Sequence, residues 1–417
     1  MYKFIIGLTY RFVLCLSVAS FCGCVEAEKV KPLFPCTDKL ENAYGVDCHL
    51  TFSQDYTRRD AELAMMNKIG INMVRGGSHF FALGYKGDEF NPLMMDSVVK
   101  SVENANIPMH GNLSMDAFGK KFWEDLDGYS RYVDYISNRY NGHILNWEVI
   151  NEVDLTLKTD SSAFKYSQLL KRIYPIFKKD GRQNNVLISG LADVCSPFLD
   201  SLCQYEVYKY FDIMNFHTYD RPENFIKHFN VLRNMMDKYG WEKEVWLGEC
   251  GMHTAPDTLK NDIWNDKEWL IQEQARRLPR IYLTAFAYGI NKVFWYEIRS
   301  EEIDSYYSEH HFGLLHADLR PKPAFKAYET LIQMCPDRST RPTLSVVGEN
   351  YLASWITPKG ETVYAAWSVS PIPLSIKVDG NSKYYDLYGK RIKKPQMLNS
   401  SIVYIRNAKN VSFKIPF

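Results

Sequence analysis

From about residue 43 to residue 336, short apolar runs alternate with polar loops and with longer stretches whose apolar positions recur every three or four residues. The short runs predict strands at 44–50, 71–75, 107–112, 144–151, 185–189, 212–217, 244–249 and 292–296. The longer stretches predict helices, among them 58–68, 122–139, 162–179, 223–238 and 267–288. Glycines close several helical stretches ahead of the next run, at Gly70, Gly240 and Gly289. Pro279, in the middle of 267–288, predicts a kink or an earlier end to that helix. Eight such alternations predict a parallel sheet with crossover helices, and eight strands are the number that closes a (β/α)8 barrel. An open, doubly wound sheet is the alternative topology. No Gly-x-Gly-x-x-Gly follows a predicted strand, which argues against its dinucleotide-binding form.

Past Pro336 the pattern changes. Residues 341–417 alternate with period two and turn at Gly348, Gly360, Gly380 and Gly389, with no helical stretch, so a small antiparallel β-sandwich is expected. The amino end differs from both regions. Lys3 and Arg11 accompany an apolar stretch to about Ala19, which reads as an export signal and is too short for a spanning anchor. Cleavage before Cys24, which would leave that cysteine lipidated, competes with cleavage after Val25-Glu26-Ala27. The expected organisation is a signal over 1–24, possible lipoprotein type included, an extension over 25–42, a barrel over 43–336 and a sandwich over 337–417. The corresponding location is secreted or in the cell envelope: periplasm, or outer membrane as a lipoprotein, in a bacterium.

A net charge of +1 gives no electrostatic footprint for nucleic acid or an anionic membrane surface. Aromatic residues make up 14% of the chain, a surplus that suits either core packing or stacking against sugar rings. Six cysteines follow the signal: Cys36, Cys48, Cys195, Cys203, Cys250 and Cys335. None forms Cys-x-x-Cys and no histidine stands at ligand spacing, so neither a metal nor another cofactor is expected. Cys36 with Cys48, and Cys195 with Cys203, are close enough for disulfides in an oxidising compartment; buried free thiols are the equal alternative.

Two carboxylates stand out. The fourth predicted strand ends in Asn151-Glu152 and the seventh in Gly248-Glu249. A carboxylate directly after an apolar strand core is costly unless paired, so each glutamate needs an explanation. In a barrel, residues at the carboxyl ends of strands converge on one point. Glycosidic hydrolysis needs two carboxyl groups that do converge, one bringing a proton and the other a charge. A structural salt bridge explains either glutamate alone and explains the pair poorly.

With these residues in view, the barrel region resembles glycoside hydrolase clan A, closest to family 39 or family 5. Asn151-Glu152 and Glu249 are similar to the clan's paired signature, and the stretch around Arg75 to its second strand. Phe216-His217-Thr218-Tyr219 is similar to its sixth strand and Phe294-Trp295-Tyr296 to its eighth, while Phe312-Gly313-Leu314-Leu315 with Pro321-Lys322-Pro323 resembles the run into its last helix. Val153 stands where family 5 has proline. The resemblance implies a retaining mechanism with Glu152 as acid/base and Glu249 as nucleophile. It implies that Arg75 and Tyr219 hold Glu249, that Asn151 bonds the sugar 2-hydroxyl, and that His217 lines the subsite for the cleaved sugar. It further implies that Trp295 floors that subsite, with a cis peptide after it. Strand alternation puts Val245, Leu247 and Glu249 on one face, Asn215, His217 and Tyr219 on another, and Val293, Trp295 and Glu297 on a third.

His49, His110 and Asn112 are further candidates for substrate contact, or buried structural groups. Glu297 is expected to meet a sugar hydroxyl or to pair with Arg299, and Cys250 to be a packed thiol. The aromatic loops 78–90 and 299–312 are expected cleft walls or rim packing. The expected partner is an oligo- or polysaccharide, and the expected state a monomer. The alternative from another class is a non-catalytic glycan-binding surface protein on a clan-A-like barrel. A metal-dependent hydrolase fits less well, since the first strand has no His-x-His.

Overall fold

The computed structural model describes residues 27–50, 56–76, 84–86, 89–157, 161–257 and 263–415. The expected signal with Cys24, and the loop residues His79, Phe80 and Phe81, lie outside them. Eight parallel strands close into a barrel: β1 (Tyr44–Asp47), β2 (Met73–Arg75), β3 (Met109–Asn112), β4 (Asn146–Glu148), β5 (Asn185–Leu187), β6 (Ile213–His217), β7 (Glu244–Cys250) and β8 (Lys292–Trp295). Each pairs with its neighbours in sequence, and β8 returns to β1 through Val293–Tyr44, Phe294–Gly45 and Trp295–Val46. Around it run α1 (Tyr56–Ile69), α2 (Leu93–Asn104), α3 (Leu126–Arg139), α4 (Ser162–Phe177), α5 (Pro197–Gln204), α6 (Phe225–Tyr239), α7 (Lys267–Ala287) and α8 (Pro323–Met334).

Local signals set the helix ends. The Asp125 carboxylate accepts from Gly128 N at the start of α3, and Asp266 accepts from Glu268 N and Trp269 N at the start of α7. Gly240 ends α6 in the left-handed region at φ 67°. The break expected at Pro279 does not shorten α7, which runs through it to Ala287. Every residue from Arg277 to Ala287 is buried, and that packing offsets the roughly 3 kcal/mol cost of an interior proline.

The strands are apolar on both faces because both are covered. Met73, Leu187, Ile213, Trp246 and Phe294 form a separate cluster that fills the barrel. Val74, Val186, Val245, Leu247, Val293 and Trp295 belong instead to the large core between strands and helices. Trp246 and Phe294 therefore point inward, while Val245, Leu247, Val293 and Trp295 point outward, the reverse of the faces expected from alternation alone. The six cysteines of the described residues are all free thiols, so neither expected disulfide forms. Cys250 is the packed thiol expected, its Sγ 3.3 Å from Phe294 O.

The carboxyl-terminal region holds β9 (Thr343–Val347), β10 (Asn350–Ile356), β11 (Thr362–Ser368), β12 (Ser375–Asp379), β13 (Lys383–Tyr385), β14 (Arg391–Ile392), β15 (Val403–Arg406) and β16 (Asn410–Lys414). One sheet runs Glu28–Lys29, β9, β10, β11, β15, β13, β14, and β12 pairs with β16 in a second. Leu352, Ala366 and Ile405 of the first meet Ile376 and Val411 of the second, making a sandwich. The other face of the larger sheet, with Trp355, Trp367 and Tyr404, joins the barrel core. Arg341 fastens the two bodies: its guanidinium donates to Thr37 O, Phe286 O, Ile290 O and Asn291 Oδ1. Trp355 Nε1 donates to Met334 O at 2.8 Å.

Gly45 is needed where β1 passes Phe294, since a Cβ there would overlap the fully buried ring. Gly45→Ala is expected to cost about 1–3 kcal/mol by overpacking. The check is a lower urea midpoint at unchanged m-value.

Candidate functional site

The carboxyl ends of the strands bring polar residues to one place above the apolar plug. A bulge decides the position of Glu249. Phe216 pairs with Leu247 but His217 pairs with Glu249, and between β7 and β8 the register likewise slips between Leu247 and Cys250. Gly248 is the extra residue; a Cβ on it would overlap Asn215 Oδ1. The bulge turns Glu249 back into the barrel although Val245 and Leu247 face out.

Arg75, with no exposed surface, is the cation at the centre. Its Nη1 bonds Glu249 Oε1 at 2.6 Å and also Asp47, its Nε bonds Glu148 Oε2 at 2.8 Å, and its Nη2 bonds Asn151 Oδ1 at 2.6 Å. Burial pushes the Glu249 pKa up, but His217, Arg75 and a bond from Tyr219 outweigh it and hold the carboxyl below its ordinary value. The Tyr219 hydroxyl donates to Glu249 Oε2 at 2.6 Å. Burial likewise opposes the ionisation of Glu148, but Arg75, by its charge and its hydrogen bonds, outweighs it and holds that carboxyl below its ordinary value. Asp47 goes the other way: burial raises it, Arg75 opposes, and Glu249 adds to the rise. His110 is pushed down to about 3, first by burial and with Arg75 and His217 adding, so it stands neutral against Glu148.

Glu152 arrives by a different route. β4 ends at Glu148, and the backbone then takes left-handed conformations at Ile150 (φ 70°) and Glu152 (φ 43°). Such conformations are costly for a β-branched residue and gather at functional sites. They let two residues next to each other reach one spot: Asn151 meets Arg75, and Glu152 Oε1 lies 2.9 Å from His217 Nδ1. The same His217 nitrogen is 3.5 Å from Glu249 Oε2. Burial lowers the His217 pKa, but Glu249 and Glu152 prevail and raise it.

Arg75, Asn151, Glu152, His217, Tyr219 and Glu249 thus come together at one place. Trp295 does not join them. Its register with Val46 and Cys250 turns it outward, with no exposed surface. The ring at the site is Tyr296, edge-on to Tyr219 at 6.3 Å between centroids, and the cis peptide follows Tyr296 rather than Trp295. Glu297 pairs with His49 at 3.1 Å, while Arg299 pairs with Glu62. Of the loop 299–312, Ile303, Tyr306 and Tyr307 are exposed and His311 is buried.

Asp47, Glu148 and Tyr296 join the site without standing out in the sequence. Asp47 and Glu148 had a signal, since a charge inside a short apolar strand demands a partner. Tyr296 had none, because its neighbour Trp295 is the larger ring.

Replacing Arg75 by Gln leaves three carboxylates gathered without their cation and is expected to cost about 3–5 kcal/mol in urea denaturation at neutral pH. Glu148 and Glu249 have lowered pKa values, so their contribution is present above the unfolded carboxylate value and fades as pH falls through their folded values. Asp47, raised, partly offsets this. The gap between wild type and Arg75→Gln should therefore narrow as pH drops below about 4.

In sequence, the chain matches no protein-family model and no curated protein. In structure it is similar to a family 39 glycoside hydrolase from the gut symbiont Bacteroides cellulosilyticus WH2, with TM-score 0.70 and 19% identity, over 89% of this chain and 82% of that one. A glucosidase from Croceicoccus marinus follows at TM-score 0.65 and 13% identity, covering 94% and 100%. A monomeric beta-xylosidase from Caulobacter crescentus CB15 gives TM-score 0.62 and 12% identity, covering 92% and 98%. The chain has the fold of these glycosidases, barrel and sandwich together.

Proposed function

We propose that the protein is a retaining β-glycoside hydrolase acting on an oligo- or polysaccharide. One observation carries this reading: an oxygen of Glu152, a ring nitrogen of His217 and an oxygen of Glu249 all lie within 4.8 Å of one another. Retaining pairs stand about 5–5.5 Å apart, and inverting pairs about 6.5–9.5 Å apart to admit a water. The fold shared with named glycosidases supports it.

In the first step an oxygen of Glu249 forms a bond to the anomeric carbon while the bond to the leaving oxygen breaks and Glu152 gives that oxygen its proton. In the second, Glu152 takes a proton from water, the water oxygen attacks the anomeric carbon, and the bond to Glu249 breaks. Arg75 and Tyr219 keep Glu249 ionised and aimed, and Asn151, anchored through its oxygen on Arg75, presents its amide hydrogens to the 2-hydroxyl. The apolar amino-terminal stretch supports export, with a lipid on Cys24 if the lipoprotein site is cut.

Glu249→Ala is expected to lower kcat on aryl β-glycosides by at least about 10³-fold without unfolding the protein. Glu152→Ala should hurt poor leaving groups most, by about 10²–10⁴-fold, and spare dinitrophenyl glycosides. Equal loss across leaving groups would remove the acid role, and a product of inverted configuration would remove retention.

The trio Glu152, His217 and Glu249 also has a spacing that a divalent cation accepts. Arg75 already supplies positive charge to Glu249, so turnover should be unchanged by a chelator; loss of activity restored by added metal would favour metal-dependent hydrolysis.

A further inference from the structure

A second chemical grouping lies outside the site already described. Cys195, expected as a partner for Cys203, is a free thiol and half-buried, while Cys203 is 2% exposed. The Cys195 Sγ is 3.6 Å from His228 Nδ1, a distance that suits a thiol hydrogen bond. On the far side of the ring, His228 Nε2 is 2.8 Å from Asp220 Oδ2 and 3.4 Å from Thr218 Oγ1. Three places in the chain supply these groups: the segment between β5 and α5, the segment after β6, and the first turn of α6. Among the described residues no other cysteine sulfur meets a histidine; Cys48 meets Glu62 and Cys250 meets Phe294 O.

Thiol, imidazole and carboxylate stand in the order of nucleophile, base and orienting acid. An ionised carboxylate only accepts, so Nε2 carries the ring hydrogen and donates it to Asp220. Nδ1 is then a bare lone pair facing the S–H of Cys195. The backbone holds the sulfur in that place. Asp154 accepts from Ala192 N and Asp193 N, and Asp193 Oδ1 accepts from Cys195 N at 2.8 Å. Burial and then Asp193 push the thiol up, Lys227 opposes, and Asp220 adds to the rise. The sulfur therefore rests protonated, and an adjacent acceptor for that proton is what allows it to attack. The Asp220 side chain is 45% exposed, so solvent reaches the grouping. Disulfide exchange needs a base and access to one sulfur atom, with no recess for an acyl group or a ring, which selects a small disulfide as the partner.

We propose that Cys195 is a modification site, a thiol that forms a mixed disulfide with small disulfides, with His228 as its base and Asp220 as a positioning residue. In the exchange His228 Nδ1 takes the thiol proton while Sγ forms a bond to one sulfur of the reagent. The S–S bond of the reagent breaks, and its other sulfur leaves with the electron pair and takes the proton from His228. One thiol and one disulfide are consumed and one of each is formed, so no further oxidant enters. The step involves no sugar and is independent of the glycosidase reading.

The test is incubation of the full-length protein with oxidised glutathione from about pH 5 to about pH 10, read by intact mass and peptide mapping. One glutathionyl group should attach at Cys195, at least about tenfold faster than at Cys36, the other half-buried thiol. The wild-type rate should show a step between about pH 5 and 8, where histidines titrate, ahead of the rise brought by ionisation of the thiol itself. His228→Gln should remove the step and slow the reaction at neutral pH at least about tenfold, the two proteins converging where the thiol ionises unaided. Asp220→Asn, which takes an anion from the ring, should keep the step and move it to lower pH. Melting checks the fold of both variants, and the wild-type profile decides alone if either fails to fold. Faster attachment at Cys36, no adduct on the folded protein, a wild-type rate that climbs with pH without a step, or an unchanged rate in His228→Gln would overturn the proposal. A step that stays in place in Asp220→Asn would remove Asp220 from it.

Discussion

One guanidinium holds the mouth of this barrel together. Arg75 is buried in contact with Asp47, Glu148 and Glu249 and with the amide oxygen of Asn151, groups contributed by β1, β4, β7 and the turn after β4. Its fixed fork of donors suits such convergence, which a lysine ammonium would not satisfy in one plane. The desolvation cost of so many charges is large. It is tolerable because the opposite signs are in contact, and because His110, packed against Trp246 and Phe294, is held neutral and adds no further charge. Closure of the barrel and ionisation of Glu249 are therefore two results of one arrangement.

Around that centre the backbone departs from regular form wherever one of the two glutamates is brought into the site. Gly248 supplies the extra residue that turns Glu249 inward. Left-handed turns at Ile150 and Glu152 bring Asn151 and Glu152 into the same space. His217 then stands between the two glutamates and fixes their separation. The regular strands below, plugged by Met73, Leu187, Ile213, Trp246 and Phe294, supply the rigidity these irregular tips require.

Element order was plain in the sequence, because strands buried on both faces read as short apolar runs between amphipathic helices. Double burial also hid which face was which. Val245, Trp246 and Leu247 are all apolar, so period two had two equally good phases, and a bulge at Gly248 made the wrong one look right for Glu249. The same ambiguity exchanged Trp295 for Tyr296. The carboxylates at Glu152 and Glu249, and Arg75 as partner, were legible because a charge at the end of an apolar run has few explanations. Asp47 and Glu148 carried the same signal in fainter form, inside the runs instead of after them. α7 persisted through Pro279 since its burial on nearly every side outweighs a local preference.

Arg341 has a mechanical consequence. The guanidinium satisfies carbonyls at the end of α7 and just before β8, together with one from the chain leading into β1. Swinging the sandwich away from the barrel would strip a buried cation of all its acceptors at once, so the junction behaves as a weld and supplies no hinge. The sandwich therefore moves only as ballast fixed to the barrel wall between α7 and β8.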